Sequence, residues 1–213
     1  MGDTFDVLFV CTGNVCRSPM AELFFLACAA PGAVEVESAG LAALVGQPID
    51  TSAAIVLADV GLDPTRHRAR QFTPELALAA DLVLAAEREH RDDVIAAAPA
   101  AHRRVFTMKE FARLLPAAGA SGSPREVIAR AAQLRGQVGP VPADQDDVED
   151  GYQLEVPAVR VIAREIARAV KEAADVLAPA PARPAEATGD RATRPRPRPR
   201  PHPHAGGRPL PRK

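Results

Sequence analysis

Four apolar residues in a row, Val7-Leu8-Phe9-Val10, run straight into Cys11-Thr12-Gly13-Asn14-Val15-Cys16-Arg17-Ser18-Pro19, a junction that few folds accept. A short continuous apolar run suits a strand buried on both faces of a parallel sheet. A helix signal follows at once. Ser18 suits an N-cap and Pro19 a first turn, where its missing N–H costs nothing, while Met20, Leu23, Phe24, Ala27 and Cys28 recur at helical spacing. The stretch from Cys11 to Arg17 is thus expected to join the carboxyl end of a strand to the start of a helix.

Such a junction suits an anion. Unpaired N–H groups at the helix start converge with the loop's own amides, and the helix dipole adds partial positive charge. Gly13 and Asn14 permit the unusual backbone needed to turn the amides of Thr12, Val15 and Cys16 inward as well. The same surroundings, with Arg17 beside them, favour thiolate over thiol at Cys11, and Ser18 can hydrogen-bond the sulfur. A thiolate beside a phosphate cradle is a nucleophile for phosphoryl transfer, with Arg17 able to grip two oxygens as a fork. Taken singly, each residue also fits a buried turn with a solvated arginine; their order after a strand favours the catalytic reading. A nucleotide loop would need a Gly-Lys-Ser/Thr sequence, which does not follow, and a zinc site would need partners for Cys28.

The rest of the chain separates by composition. Ten of the 21 prolines lie from Leu177 onward, with nine basic residues against Glu186 and Asp190. Residues 1–176 carry 17 basic and 25 acidic side chains, so the formal charge of −1 hides two opposed parts. The expected division is a folded domain over 1–176 and a disordered, basic, proline-rich tail over 177–213, extended where Arg or His alternates with proline from Arg194 to Pro203. An anionic surface or a proline-binding module is a candidate partner for that tail. No apolar run reaches membrane-spanning length, no signal peptide pattern is present, and Asp6 occupies the position where N-myristoylation wants Ser or Thr. Three cysteines, two of them in one loop, do not make a secreted disulfide framework, so a reducing cytoplasm is the expected setting.

Between Pro31-Gly32 and the tail, strands are expected at Val34 to Glu37, Leu82 to Ala85 and Arg104 to Thr107. Helices are expected after Asp50, near Pro74, over Glu87 to Ala97, Lys109 to Leu115 and Arg125 to Leu134, and from Val156 onward. This alternation implies an α/β three-layer sandwich, a parallel sheet with helices on both faces. The basic segment Arg66 to Arg70 reads as a solvated face in preference to the rim of an anion site, and His90 as a surface or capping residue in preference to a ligand. Gly136 to Gln153 lacks apolar periodicity and holds Asp144, Asp146, Asp147, Glu149 and Asp150, a length that favours a functional loop. It lacks the EF-hand spacing.

The run Cys11 to Pro19 resembles the active-site loop of the low-molecular-weight protein tyrosine phosphatases, and Glu149-Asp150-Gly151-Tyr152 resembles their Asp-Pro-Tyr acid motif. The resemblance implies a four-stranded sheet and a metal-independent phosphomonoesterase without cofactor, acting on phosphorylated protein through a cysteinyl-phosphate. It gives Cys11 as nucleophile, Arg17 as phosphate binder, Ser18 as thiolate partner, Asn14 as loop holder and Asp150 as general acid, crowded by like charges that help it keep a proton. Gly151 replaces the family's proline. Tyr152 is expected either to wall the substrate or to pack the loop. Thioredoxin-coupled arsenate reductase is the first alternative, although no cysteine follows Cys28 to relay a disulfide. A catalytically weak phosphate-binding scaffold is the second.

Overall fold

The computed structural model describes residues 5–139 and 141–179. Four strands, β1 (Phe5–Cys11), β2 (Val34–Gly40), β3 (Leu82–Ala85) and β4 (Val105–Thr107), form one parallel sheet in the order β2-β1-β3-β4. The order reverses at β1, so its carboxyl end opens onto the crevice where such sheets bind ligands. Every residue of β1 except Asp6 is buried. Side chains alternate across the sheet: Val7, Phe9 and Cys11 join the larger core, Leu8 and Val10 the smaller.

The larger core is closed by α1 (Arg17–Cys28), α2 (Thr51–Asp59), α5 (Met108–Ala118), α6 (Pro124–Leu134) and α8 (Val156–Leu177). The smaller core is closed by α3 (Pro74–Ala79), α4 (Arg88–Ala97) and a 3-10 helix, Pro99–Arg104. Helix α8 buries Val159, Ile162, Ala163, Ile166 and Val170 along one face, as its apolar spacing requires. Beyond it Ala178 stays buried and bonds Ala30. The expected tail lies, past Pro179, outside the described residues. No helix among the described residues is long and apolar enough to cross a membrane.

Two local expectations are corrected. Helix α1 begins at Arg17, with Cys16 at its N-cap, because the Ser18 side chain is turned into the core rather than onto the helix start. The buried face of α1 then centres on Met20, Ala21 and Phe25, and Ala27 is exposed. The acidic stretch is not a plain loop. It holds α7 (Ala143–Asp146), whose Asp146 is buried between Arg88 at 2.9 Å and Arg113 at 3.1 Å, while Asp147 accepts from the Arg88 backbone N–H. Asp146 and Asp147 are therefore engaged by cations and a helix start rather than crowded against Asp150.

Candidate active site

The loop after β1 is fastened by its carbonyls. The carbonyl of Cys11 accepts from Leu41 N, that of Thr12 from Ala42 N, that of Gly13 from Leu44 N, that of Val15 from Asp50 N and that of Cys16 from Met20 N. The Asn14 carbonyl is bonded by His67 Nε2 at 2.7 Å. In a trans peptide the N–H points opposite to the C=O. Six outward carbonyls therefore turn the amides of Thr12 to Arg17 to the other side of the loop, the geometry of an anion nest. Of the two residues expected to supply the special conformation, Asn14 does so, at φ 55°, and Gly13 does not have positive φ.

Asn14 is wholly buried, and both polar atoms of its side chain are tied. Its Nδ2 donates to Ser18 Oγ at 2.9 Å and Ser38 Oγ at 2.8 Å, and its Oδ1 accepts from the Arg70 backbone N–H at 2.8 Å. Ser38 in turn bonds Glu22 at 2.6 Å, where burial raises the carboxyl above its ordinary pKa. The expected solvated basic segment is thus half wrong. Arg66 and Arg68 are exposed, but His67 and the Arg70 backbone brace the loop from behind.

Cys11 Sγ lies 3.0 Å from Ser18 Oγ. Asn14 already donates to that oxygen, so the Ser18 proton has two acceptors within reach, the Cys11 sulfur at 3.0 Å and the Ala39 carbonyl at 3.5 Å. Arg17 is almost fully buried and has partners along its whole fork: Glu87 and the Val148 carbonyl hold Nη1, Thr12 Oγ1 lies 3.4 Å from Nη2 and Asp150 Oδ1 lies 3.3 Å from Nε. Asp150 also caps its own turn, accepting from the Tyr152 N–H at 3.2 Å, and is half exposed. A cavity of about 160 Å³ opens over these groups, walled by Gly13, Val15, Cys16, Ala42, Leu44 and Tyr152 as well as Cys11, Thr12, Arg17 and Asp150. A wider hollow of about 830 Å³ between α5 and α8 has charged walls such as Lys109 and Glu165 and no cysteine.

A sequence model of the low molecular weight phosphotyrosine protein phosphatases matches residues 6–119. The chain belongs to this family. The probable low molecular weight protein-tyrosine-phosphatase EpsP of Ralstonia nicotianae is 43% identical over 105 residues, 49% of this chain and 71% of that protein. A protein-arginine-phosphatase of Geobacillus stearothermophilus is 40% identical over 107 residues, 50% of this chain and 71% of that one. Among solved structures, the tyrosine phosphatase Wzb from Escherichia coli K30 in complex with sulphate superposes with a TM-score of 0.61 at 26% identity, covering 81% of this chain and 98% of that one. The family match ends before Asp150.

Three groups at the site escaped the sequence. Glu87 and His90 follow β3, and His90 is buried with Nε2 2.8 Å from Thr12 Oγ1, contrary to the expected surface or capping role. Their position at the carboxyl end of a strand beside β1 was the available signal. Gly40 was the third: a Cβ there would lie 2.5 Å from the Thr12 carbonyl. Cys28, at the far end of α1, is roughly 16 Å along the helix from Arg17, beyond disulfide reach of Cys11. Among the described residues no group of three His, Cys, Asp or Glu is placed to hold a metal.

Proposed function

We propose that the cavity hydrolyses phosphotyrosine in proteins through a cysteinyl-phosphate on Cys11. The observation that carries this reading is the nucleophile, the arginine fork and a half-exposed carboxylate converging on one cavity floored by inward amides. Phosphate oxygens would lie on the amides of Thr12 to Arg17, and the Nε and Nη2 edge of Arg17 would take two of them. That edge is held by Asp150 and Thr12 in the free protein. Phosphate arrival displaces Asp150 from Arg17; the freed carboxylate, half exposed, takes up a proton from solvent and passes it to the departing phenolate oxygen. Cys11 Sγ bonds phosphorus as the P–O ester bond breaks. A water deprotonated by Asp150 then cleaves the P–S bond, returning thiolate and inorganic phosphate.

The walls decide the leaving group. Val15, Ala42, Leu44 and Tyr152 offer apolar and aromatic surface suited to a phenyl ring. Asp150 is the carboxylate on the cavity wall, and the proposed proton transfer engages it at the leaving oxygen. Phosphoarginine is the second reading, favoured by the 40% identical arginine phosphatase. Initial rates on phosphotyrosine and phosphoarginine peptides, with p-nitrophenyl phosphate as reference, separate the two. We expect phosphotyrosine to be preferred and Cys11→Ser to abolish all turnover. Preference for phosphoarginine would reassign the substrate, and turnover that survives in Cys11→Ser would overturn the mechanism. The three free cysteines suit a reducing compartment.

A further inference from the structure

The Thr12 hydroxyl stands between two cationic or potentially cationic groups, and its three hydrogen-bonding positions can be counted. One lone pair faces Arg17 Nη2 at 3.4 Å, a group that can only donate. His90 Nε2 lies at 2.8 Å, and its role depends on where the imidazole proton sits. The other ring nitrogen, Nδ1, is buried and has no partner among the described residues. A buried N–H without an acceptor is the rarer and costlier orphan, so the proton belongs on Nε2 and the bare nitrogen is Nδ1. His90 then donates to Thr12, both lone pairs of Oγ1 are filled, and the hydroxyl proton remains. Thr12 is exposed and lines the catalytic cavity beside Cys11 and Arg17, so that proton has the cavity as its outlet.

We infer that Thr12 is a catalytic hydrogen-bond donor to the phosphoryl group in transfer, and that His90 is the positioning residue that makes it a donor. This deepens the phosphatase reading and rests on it. Without His90 the hydroxyl regains a free lone pair and turns to suit water or Arg17. With His90 in place it adds a seventh fixed donor to the six loop amides, on the side of the cavity where Arg17 lies. Burial first, and the Arg17 cation after it, lower the imidazole's pKa below its ordinary value against the opposing pull of Glu87, Glu89 and Asp93, in keeping with a bare Nδ1. A donor aimed where charge gathers favours the transition state over bound substrate.

The test compares orthovanadate, which becomes five-coordinate on the nucleophile, with inorganic phosphate as inhibitors of p-nitrophenyl phosphate hydrolysis. Thr12→Val and His90→Phe should each lower kcat at least about tenfold with KM little changed, and should lower the preference for vanadate over phosphate by a similar factor. His90→Gln, which keeps an N–H at that reach, should recover most of both. The double variant should be no worse than Thr12→Val alone, because His90 acts through Thr12. An unchanged vanadate preference in Thr12→Val overturns the inference, as do losses that multiply in the double variant. Thr12→Val is an exposed change, so it remains informative even where His90→Phe fails to fold. If wild-type turnover does not depend on Cys11, the phosphatase reading itself has failed; Cys11-dependent turnover with unchanged vanadate preference removes only this inference.

Discussion

Asp150 has two neighbours that pull it in different directions, the Arg17 guanidinium in the free protein and the ester oxygen once phosphate claims that guanidinium. A proton donor matters in proportion to how poor the leaving group is, since a phenolate of pKa about 10 needs the proton and an activated phenolate does not. Asp150→Asn should therefore slow phenyl phosphate hydrolysis by about a hundredfold and p-nitrophenyl phosphate far less. Equal losses on both substrates would take the acid role from Asp150. The cysteines differ as sharply. Burial, then the neighbouring Cys11, pushes the Cys16 thiol up to about 12, and burial also raises Cys28. Both remain thiols at neutral pH, and neither has the setting of Cys11, whose Sγ lies 3.0 Å from Ser18 Oγ on the wall of the cavity. Brief iodoacetamide treatment at neutral pH should add one carbamidomethyl group, mapped by mass spectrometry to Cys11, and phosphate should protect it. Labelling of Cys16 at a comparable rate would contradict the assignment.

At the scale of elements, the phosphate loop is held by the end of β2 as much as by its own sequence. Gly40 pairs with Cys11 in the sheet, donates to the Arg70 carbonyl and accepts from Phe72 N, which locks its backbone in place. A Cβ on it would lie 2.5 Å from the Thr12 carbonyl oxygen and 2.9 Å from Asn14 N, both backbone atoms that cannot swing aside. At Gly13 the nearest atom would be Val15 Cγ2 at 3.4 Å, an ordinary contact. Gly40→Ala should cost about 1–3 kcal/mol in urea unfolding and most of the activity, and Gly13→Ala well under half of that. The reverse ranking would mean that the loop is shaped from within. Sequence reading placed the special glycine at Gly13 because the strand-loop-helix pattern is local. The role of Gly40 comes from a crossing 28 residues away, and no local pattern encodes it.

Across the whole molecule, what could be read early was whatever repeats along the chain: apolar runs such as Val7 to Val10 and the alternation at Val34 to Glu37 gave the strands of the parallel sheet, and the spacing of Val159, Ile166 and Val170 gave the face of α8. What could not be read was what the topology gathers. Glu87 reaches Arg17 across 70 residues, Val148 across 131, and Asp146 looked like one carboxylate among five until Arg88 and Arg113 enclosed it. His90 belongs to this second group, and its burial makes a prediction about the stability of the entire fold. Desolvation is the largest influence on its ring, Arg17 adds to it, and Glu87, Glu89 and Asp93 oppose both, leaving the pKa below the ordinary value of 6.5. Below pH 6.5 the unfolded chain takes up a proton at this position that the folded chain refuses. Folding stability from His90 is then whole above that value and falls with pH until the lowered folded pKa is passed. In urea titrations between about pH 7.5 and pH 5, wild type should therefore lose more stability than His90→Gln, whose side chain does not titrate, while the other carboxylates and histidines affect both proteins alike. If wild type instead gained on the variant as the solution was acidified, Glu87, Glu89 and Asp93 would have to outweigh burial. The imidazole would then be a cation with both ring nitrogens protonated.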